Sequence, residues 1–365
     1  MQTNFSRVLN PVLDGPHAAT DPEISMRTPL FIVLFAIVVA ATLPSAPTED
    51  PEWNLKTPAP VDNGVLGPLE GWEKHECAEC HEEVTREWAS TVHALAWEDE
   101  HYQRDIKKVR RKKSCYGCHI PMPLHGFDGF IPNPDPRDEL RAHGIDCAAC
   151  HEGEDGEMLG PWGIETDAHA SAMNESFTAE GGNRLCIACH ATNIGPVIGV
   201  AKDFNKTAVA KAGGSCVGCH MAPVERAHAI DPETGEAAPV REGRSHHLQT
   251  PRDPTFLRQA FRLEAMTRDD VTVVSITNRT GHRVPGLSLR TMEFRLELLD
   301  ANGKTRAEVR HTVDKRRYLP VDEALEIELD GVGTTVHVLG DHDAPGYRRA
   351  VRFLDETLQI TSGDE

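Results

Sequence analysis

The chain has 365 residues, with 57 acidic and 38 basic side chains, ten cysteines and nineteen histidines. Its formal net charge of −19 argues against a nucleic-acid-binding protein, because the phosphate backbone is recognised through an excess of lysine and arginine. The length allows one medium-sized domain and a smaller one.

The first predicted element is an apolar segment over residues 30–43, LFIVLFAIVVAATL, with no charged residue between Thr28 and Thr48. The segment is short for a membrane span and suits the apolar core of a signal peptide, with small residues from Ala40 to Ala46 as cleavage sites. We therefore assign 1–48 to targeting and expect an exported, periplasmic or otherwise extracytoplasmic protein. An uncleaved segment would instead be a transmembrane anchor. Residues 49–70 are rich in Pro, Asp and Gly and are predicted to be a linker.

Five C-x-x-C-H motifs dominate the next region, for which we predict the limits 71–265. They use all ten cysteines, and their first cysteines lie 38, 32, 39 and 30 residues apart. Such short spacings leave room for one or two short helices and a loop per motif. The cysteine pairs are Cys77 and Cys80, Cys115 and Cys118, Cys147 and Cys150, Cys186 and Cys189, and Cys216 and Cys219.

Two thiols separated by two residues can add to the two vinyl groups of one haem, and the histidine that follows becomes the proximal iron ligand. Zinc ribbons or a disulfide framework would also use paired cysteines, but neither explains a histidine directly after all five pairs. The sequence therefore predicts five covalently bound haems c. The predicted proximal ligands are His81, His119, His151, His190 and His220.

The sixth position on each iron decides whether a haem only passes electrons or can also bind a substrate. The distal candidates are His93, which we place on a helix after the first motif, His125, His169, His246 and His282. Three other histidines near the motifs could replace one of these: His75, His143 and His228. The alternative is that each of the three is a surface or structural histidine. Methionine is a second type of distal ligand, at Met122, Met158, Met173 or Met221. We expect His101, His311, His337 and His342 to be surface residues.

A dense basic run, Lys107, Lys108 and Arg110 to Lys113, precedes the second motif. One interpretation is a solvated face that offsets the acidic surface, and the other is a docking site for an acidic redox partner.

From about Val271 the pattern changes to alternation of apolar and polar residues. Strands are predicted at 271–277, 294–298, 325–329, 334–339 and 347–353, with a turn at Asn302-Gly303. We predict a small antiparallel β-sandwich over 266–365, joined to the haem region by a helix at 256–266. The predicted fold class is therefore α+β, with a mostly helical or irregular haem-packed domain followed by the sandwich.

The motifs and their surroundings resemble the multihaem cytochromes grouped with the tetrahaem cytochrome c-554 of nitrogen-cycle bacteria, from about Gly71 to the end. The matching features are the first motif with Trp88, Ser90 and His93, the segment GIDCAACH at 144–151, the fifth motif with Met221 and Pro223, Ser245-His246 ahead of Arg252-Asp253-Pro254, and NRTGHRVP at 278–285. The resemblance implies axial-ligand roles for His93, His169, His246 and His282, and electron transfer in the periplasm.

The chain departs from related haem enzymes in two respects. It has no C-x-x-C-K motif, and no tyrosine in a context that matches the cross-linking tyrosine of hydroxylamine oxidoreductase. We therefore predict a non-catalytic electron carrier between redox protein partners, a quinol-linked donor and a terminal reductase. The alternative is a haem oxidoreductase that acts on a small nitrogen or sulfur compound at one open haem site.

Overall fold

The computed structural model describes residues 68–126, 129–131, 133–164, 166–178, 183–194, 198–202 and 204–362, all within one compact unit, Pro51–Glu365. The predicted targeting segment 1–48, with its apolar stretch 30–43, and most of the linker lie outside the described residues. In the described ranges, no helix has both the length and the apolarity needed to cross a membrane.

The haem region is built from short helices joined by turns. Its described α-helices are α1 (Glu82–Ala89), α2 (Glu100–Ile106), α3 (Lys113–His119), α4 (Cys147–His151), α5 (Asn183–His190), α6 (Ala208–Lys211), α7 (Cys216–His220) and α8 (Pro254–Arg258). Single turns of 3-10 helix occur at Trp72–Lys74, Glu76–Glu79, Arg141–His143, Glu175–Phe177 and Phe204–Lys206. This matches the prediction that each motif has room for little regular structure.

Three small two-stranded pairs complete the haem region. They are β1 (His125–Gly126) with β2 (Gly129–Phe130), β3 (Met158–Gly160) with β4 (Ser171–Met173), and β5 (Pro223–Arg226) with β6 (Arg241–Arg244). The β5–β6 hairpin is antiparallel and leads directly into the segment that carries His246. Apolar packing is sparse here, since one small cluster centres on Trp88, Ala89 and Ala94.

The C-terminal region forms one seven-stranded sheet. Its strands are β7 (Phe261–Arg268), β8 (Val271–Asn278), β9 (Thr291–Leu299), β10 (Thr305–Val313), β11 (Ala324–Leu329), β12 (Thr335–Asp343) and β13 (Val351–Ser362), in the order β10-β9-β12-β13-β7-β8-β11. The end strands β10 and β11 also approach each other, so the sheet curves toward closure.

The long strand β13 joins the two halves of this sheet. It pairs antiparallel with β12 along most of its length, and its last residues, Ile360 to Ser362, pair parallel with β7. The sheet is therefore mixed, and the purely antiparallel sandwich of the prediction is not confirmed, although α+β describes the chain. One strand can serve both halves because twelve residues give it two separate hydrogen-bonding stretches.

The alternating residues of the strands build the main apolar core. In β9 every second side chain from Met292 to Leu298 is buried, as the alternation predicts. The rings of Phe261, Phe294 and Phe353 meet at centroid distances of 5.6, 5.6 and 5.9 Å in the middle of this core.

The predicted helix at 256–266 is wrong beyond its first turn. Helix α8 ends at Arg258, and β7 begins at Phe261 and pairs antiparallel with β8 along its whole length. The strand therefore crosses the predicted domain limit between 265 and 266. The last predicted strand also begins later, at Val351, because a turn at 345–346 and a bend at 348–349 precede it.

Candidate haem sites

The cysteine pairs of four motifs lie on short helices, and two of these helices, α4 and α7, have polar side-chain caps. Asp146 caps α4 by accepting a hydrogen bond from Ala149 N at 3.2 Å, and Ser215 caps α7 through Gly218 N at 2.9 Å. Asp and Ser are preferred at this position because their side chains satisfy a free backbone N–H of the first turn. In the first motif, which is a 3-10 turn, His75 Nδ1 accepts from Cys77 N at 3.2 Å.

Four of the five proximal histidines are fixed by the same type of hydrogen bond. Nδ1–H donates to a backbone carbonyl oxygen in His81 (His228 O, 2.7 Å), His119 (Ala96 O, 2.5 Å), His151 (Leu159 O, 2.8 Å) and His220 (Gln249 O, 2.6 Å). Such a bond sets the tautomer and the ring orientation and leaves Nε2 available for a metal.

Four proximal rings each face a second histidine at nearly the same separation. The centroid distances are 6.4 Å for His81 and His169, 6.3 Å for His190 and His93, 6.1 Å for His151 and His246, and 6.4 Å for His220 and His282. These rings are too far apart for direct stacking. Two metal–nitrogen bonds of about 2 Å, with about 1 Å more from each nitrogen to its ring centre, give about 6 Å. The residues present therefore fit an iron held between each pair.

Three of the partner rings, His93, His246 and His282, are neutral and deeply buried. Burial lowers the pKa of His93 to about 3 and those of His246 and His282 to about 4. Nδ1–H of His246 donates to Arg244 O at 3.0 Å, and that of His282 donates to Arg283 O at 2.9 Å. Their Nε2 atoms are thereby left for metal binding. His169 has the same type of contact, with Ala170 O at 3.2 Å.

His93 is held in a turn rather than on the predicted helix, because α1 ends at Ala89. Thr91 Oγ1 accepts from His93 N at 3.2 Å, and the His93 carbonyl accepts from Ile145 N at 3.0 Å. Gly144 makes this approach possible. A Cβ at Gly144 would lie 2.4 Å from the His93 oxygen, and its φ of 58° is in the left-handed region.

His246 is positioned by a buried carboxylate on α1 that sequence reasoning missed. Glu87 Oε2 accepts from His246 N at 2.7 Å, and both Glu87 oxygens accept from Arg226 at 2.7 and 2.8 Å. Burial alone would raise the pKa of Glu87, but the hydrogen bonds from Arg226 and His246 lower it below its ordinary value. A lone Glu in a helix gives no sequence signal for such a role.

His282 is positioned by the loop between β8 and β9. The side-chain amide of buried Asn278 donates to the carbonyls of His282 (3.0 Å) and Leu319 (3.1 Å), and its oxygen accepts from Thr280 N at 2.9 Å. The C-terminal region therefore supplies a histidine that faces the last motif. This gives the segment NRTGH at 278–282 a physical role.

The second motif differs from the other four. Within the described residues, no histidine ring faces His119 at the separation found elsewhere. The ring of Tyr102 instead stacks on His119 at 3.7 Å and 11°. The Tyr102 hydroxyl is buried without a hydrogen-bond partner, and burial raises its pKa. His125 does not approach His119. Its Nε2 lies 3.1 Å from Cys150 O, near the third motif.

The motifs also lie close to one another. Cysteine side chains lie near one another between the first and third motifs (Cys77 and Cys147), the second and fourth (Cys118 and Cys189), and the fourth and fifth (Cys186 and Cys216). Cys150 acts electrostatically on Cys186, which places the third motif beside the fourth. All five motifs are therefore connected through short distances.

The alternative ligands have other roles. His75 and His143 lie 4.9 Å apart beside Asp146, but one Asp146 oxygen already accepts a hydrogen bond from Ala149 N and the other forms an ion pair with Arg137 at 2.7 Å. The ring of His228 contacts Arg241 O at 3.1 Å. Met122 and Met173 are exposed. His342, predicted at the surface, is buried in β12.

Comparison with known proteins agrees with this geometry. The sequence profile of the family described as "Cytochrome c554 and c-prime" matches residues 76–152, which hold the first three motifs. No curated protein matches the chain. The fold is similar to that of a penta-haem cytochrome c552 from Thermochromatium tepidum, with a TM-score of 0.50 and 17% sequence identity over 78% of this chain and 97% of that chain. With the C-x-x-C-H motifs, these matches identify covalently bound haem c as the cofactor.

Proposed function

Because the chain is a multihaem c-type cytochrome with a C-terminal β-domain, we propose that it binds one haem c at each of its five motifs and transfers electrons between redox partners outside the cytoplasm. Haem iron supplies one-electron redox chemistry, and the protein tunes it through the axial ligands and their surroundings. The solved relative of similar fold is a penta-haem cytochrome, in agreement with the proposed number.

The four histidine pairs are the main observation behind electron transfer. We assign His169, His246, His93 and His282 as distal ligands at the first, third, fourth and fifth motifs, from their distances to His81, His151, His190 and His220. An iron with two histidine ligands has no position left for a substrate. Two imidazoles also lack the thioether that raises the potential, so low reduction potentials are expected at these motifs.

The neighbour relations among the motifs give the proposed route. The first motif adjoins the third, the third adjoins the fourth, and the fourth adjoins both the second and the fifth. The fourth motif is therefore the branch point, and the first, second and fifth are the ends. The proposed partners, a quinol-linked donor and a terminal reductase, would meet the protein at these ends.

The basic run before the second motif supports an acidic partner at that end. The basic residues between Lys107 and Lys113 are all exposed, and Lys108 alone among them forms an ion pair in the described part of the chain, with Asp105 at 3.0 Å. Lys112 and Lys113 lie at the start of α3, where the helix dipole disfavours positive charge. The run therefore does not serve the stability of this helix, which favours the docking interpretation.

Salt dependence tests this docking site. With an acidic ferredoxin as the probe, the electron-transfer rate should fall steeply with ionic strength. The Lys112→Glu/Lys113→Glu variant should be slower at low salt and nearly independent of salt, whereas Lys315→Glu, on an exposed loop of the sheet, should behave as the wild type. An equal decrease of the electron-transfer rate in both variants would indicate that the net charge of the protein, and not this docking site, determines the rate.

Electron paramagnetic resonance of the oxidised protein tests the carrier function, with haem content measured by pyridine haemochrome on the same sample. Five haems per chain and low-spin signals at four or more of them are expected. The His282→Ala variant should convert one low-spin haem to high spin, and His311→Ala should change nothing. A chain with fewer than five haems, or an unchanged spectrum in His282→Ala, would contradict the assignment.

The second motif favours a second function, an oxidoreductase for a small nitrogen or sulfur compound. The specific observation is His119, which stacks on Tyr102 and faces no histidine at ligand distance within the described residues. An iron held by His119 alone could bind an exogenous ligand. A high-spin signal of one haem in five that shifts with nitrite, hydroxylamine or cyanide would establish this function, and five low-spin haems would exclude it.

A further inference from the structure

Four polar side chains meet where the segment before α8 approaches β12 and the turn that follows it. They are Arg252, just before α8, Arg290, just before β9, His342 in β12 and Tyr347 in the following turn. The Arg252 guanidinium lies 5.7 Å from the centre of the Tyr347 ring, and the Tyr347 and His342 rings meet edge to face at 5.4 Å. Both arginines act electrostatically on His342. These residues form one partly buried cluster that contains two cationic side chains.

The cluster has several polar atoms without hydrogen-bond partners. Nε and Nη1 of Arg252, Nε of Arg290 and Nε2 of His342 are buried and have no hydrogen-bond partner, and His342 is only 1% exposed. Neither arginine forms an ion pair with a carboxylate of the described residues. Asp343 acts electrostatically on Tyr347 but pairs with neither arginine. Burial, together with the neighbouring Arg252, lowers the pKa of Arg290.

Two other arginines of this protein have carboxylate partners. Arg226 pairs with Glu87 at 2.7 Å, and Arg258 pairs with Glu356. An unpaired buried charge costs several kcal/mol, so two neighbouring guanidinium groups without a counter-ion imply an anionic ligand. The planar forks of two arginines match a carboxylate, which can accept several hydrogen bonds at once.

Along the sequence, the two arginines of the cluster follow residues that contact or face the histidine of the last motif. The carbonyl of Gln249 accepts the Nδ1–H of His220 at 2.6 Å, and Arg252 follows three residues later. Arg290 follows His282, the histidine that faces His220, at the other end of the same loop. We propose that Arg252 and Arg290 bind a propionate carboxylate of the haem at the fifth motif. This rests on the proposed haem at that motif.

The proposal gives the cluster an electrostatic role. Two guanidinium groups beside a propionate offset its negative charge, which would otherwise favour the oxidised iron. The arginines therefore raise the reduction potential of the fifth haem relative to a variant that lacks them. Tyr347 and His342 hold Arg252 in place from the side of the sheet. The C-terminal region would thus supply an axial ligand and a charge that tunes the same haem.

The test is a potentiometric titration of the Arg252→Gln and Arg290→Gln variants, monitored by the signal that His282→Ala alters. We expect the ratio of oxidised to reduced fifth haem at a fixed potential to rise about tenfold in each, a decrease of about 59 mV for a one-electron couple. The other four haems should keep their potentials. Arg290→Lys, which keeps the charge, should show a smaller decrease and serves if Arg290→Gln does not fold.

Arg352→Gln is the matched control, because it removes a cation from the outer side of the same sheet, where Arg352 pairs with Asp341 at 2.6 Å. It should leave every potential unchanged. Full haem content with an unshifted fifth haem in both glutamine variants would overturn the proposal. So would stabilisation of the wild type by sulfate or nitrite that is lost in Arg290→Gln, which would indicate a free anion. A wild-type chain with no haem at the fifth motif would instead refute the proposed function.

Discussion

The haem region and the C-terminal sheet are stabilised in different ways. The sheet buries a continuous apolar core from Leu257 to Leu354, with Phe294, Leu296 and Leu298 fully buried. The haem region has one small cluster around Trp88 and many short helices, of which α4 and α7 have five residues each. Isolated helices of this length are unstable in water.

The two regions therefore depend on the cofactor to different degrees. A sheet with its own core satisfies the usual requirement for independent folding. The haem region must obtain much of its buried apolar surface from the haems. The cofactor is then a part of that region's core as well as its redox centre, and metal-dependent folding of small domains follows the same logic.

Production of the full chain without haem attachment should have the largest effect. The haem region should fail to fold, because its short helices lose the surface on which they pack, while the sheet remains folded. Limited proteolysis should yield a resistant fragment that begins near α8 and contains β7 to β13. The haem-loaded chain is the control. Equal resistance of both regions in the haem-free chain would contradict the comparison.

The next largest effect is expected from Phe294→Ala in the centre of the sheet. The ring is 0% exposed and packs against Phe261 and Phe353, so its loss should destabilise the sheet by about 3–5 kcal/mol. Urea unfolding followed by far-UV circular dichroism measures this. Leu289→Ala, 59% exposed, should change stability by less than about 0.5 kcal/mol. A change of the haem absorption that coincides with the unfolding of the sheet, and shifts with it in Phe294→Ala, would show that the regions are not separable.

Sequence reasoning succeeded where the signal is local. The C-x-x-C-H spacing places each proximal histidine beside its cysteines, and alternation located β8, β9 and β11. Sequence reasoning failed at β7, because the segment FRLEAM at 261–266 is rich in residues that favour a helix. Pairing with β8 over eight positions overrides that preference.

Sequence reasoning also could not predict which distant segments of the chain meet. His169 faces His81 across 88 positions of the chain, and spacing cannot assign such a partner. Histidine type and proximity to a motif gave the candidates, but the fold decides which motif each one faces. Tyr102 and Glu87 were missed because their roles arise only when distant segments meet. The five C-x-x-C-H motifs can thus be read from the sequence, whereas the contacts between them cannot.

Glu87→Gln should show a smaller effect, within the haem region. The amide can still accept from His246 N but loses the charge that pairs with Arg226, so we expect a loss of about 1.5–3 kcal/mol. Glu83, 3.1 Å from Arg226, limits the loss. Because the pKa of Glu87 is lowered on folding, its contribution is complete above its ordinary pKa of about 4.3 and is lost as the pH falls through the lower folded value.

Unfolding of the wild type and of Glu87→Gln at several pH values measures this contribution. The stability difference should be constant near neutrality and shrink in acid. Glu82→Gln, an exposed change on the same helix, is the control and should have little effect. A difference that grows in acid would mean that Glu87 is protonated in the folded protein. A high-spin shift of the third haem in Glu87→Ala, reversed by added imidazole, would show that the carboxylate positions His246.

The smallest effect is expected at the contact between the two regions. Arg258 on α8 binds both oxygens of Glu356 on β13, and its Nη1 donates to Phe261 O at 2.6 Å. The pair is partly exposed, with side-chain exposures of 29% and 40%, so its removal in Arg258→Gln should cost about 1 kcal/mol. Scanning calorimetry is the measurement, with Arg268→Gln in an exposed pair of the sheet as the control.

If the regions fold separately, only the unfolding transition of the sheet should move in Arg258→Gln. A parallel shift of both transitions would show that α8 couples them, and the haems would then also stabilise the sheet.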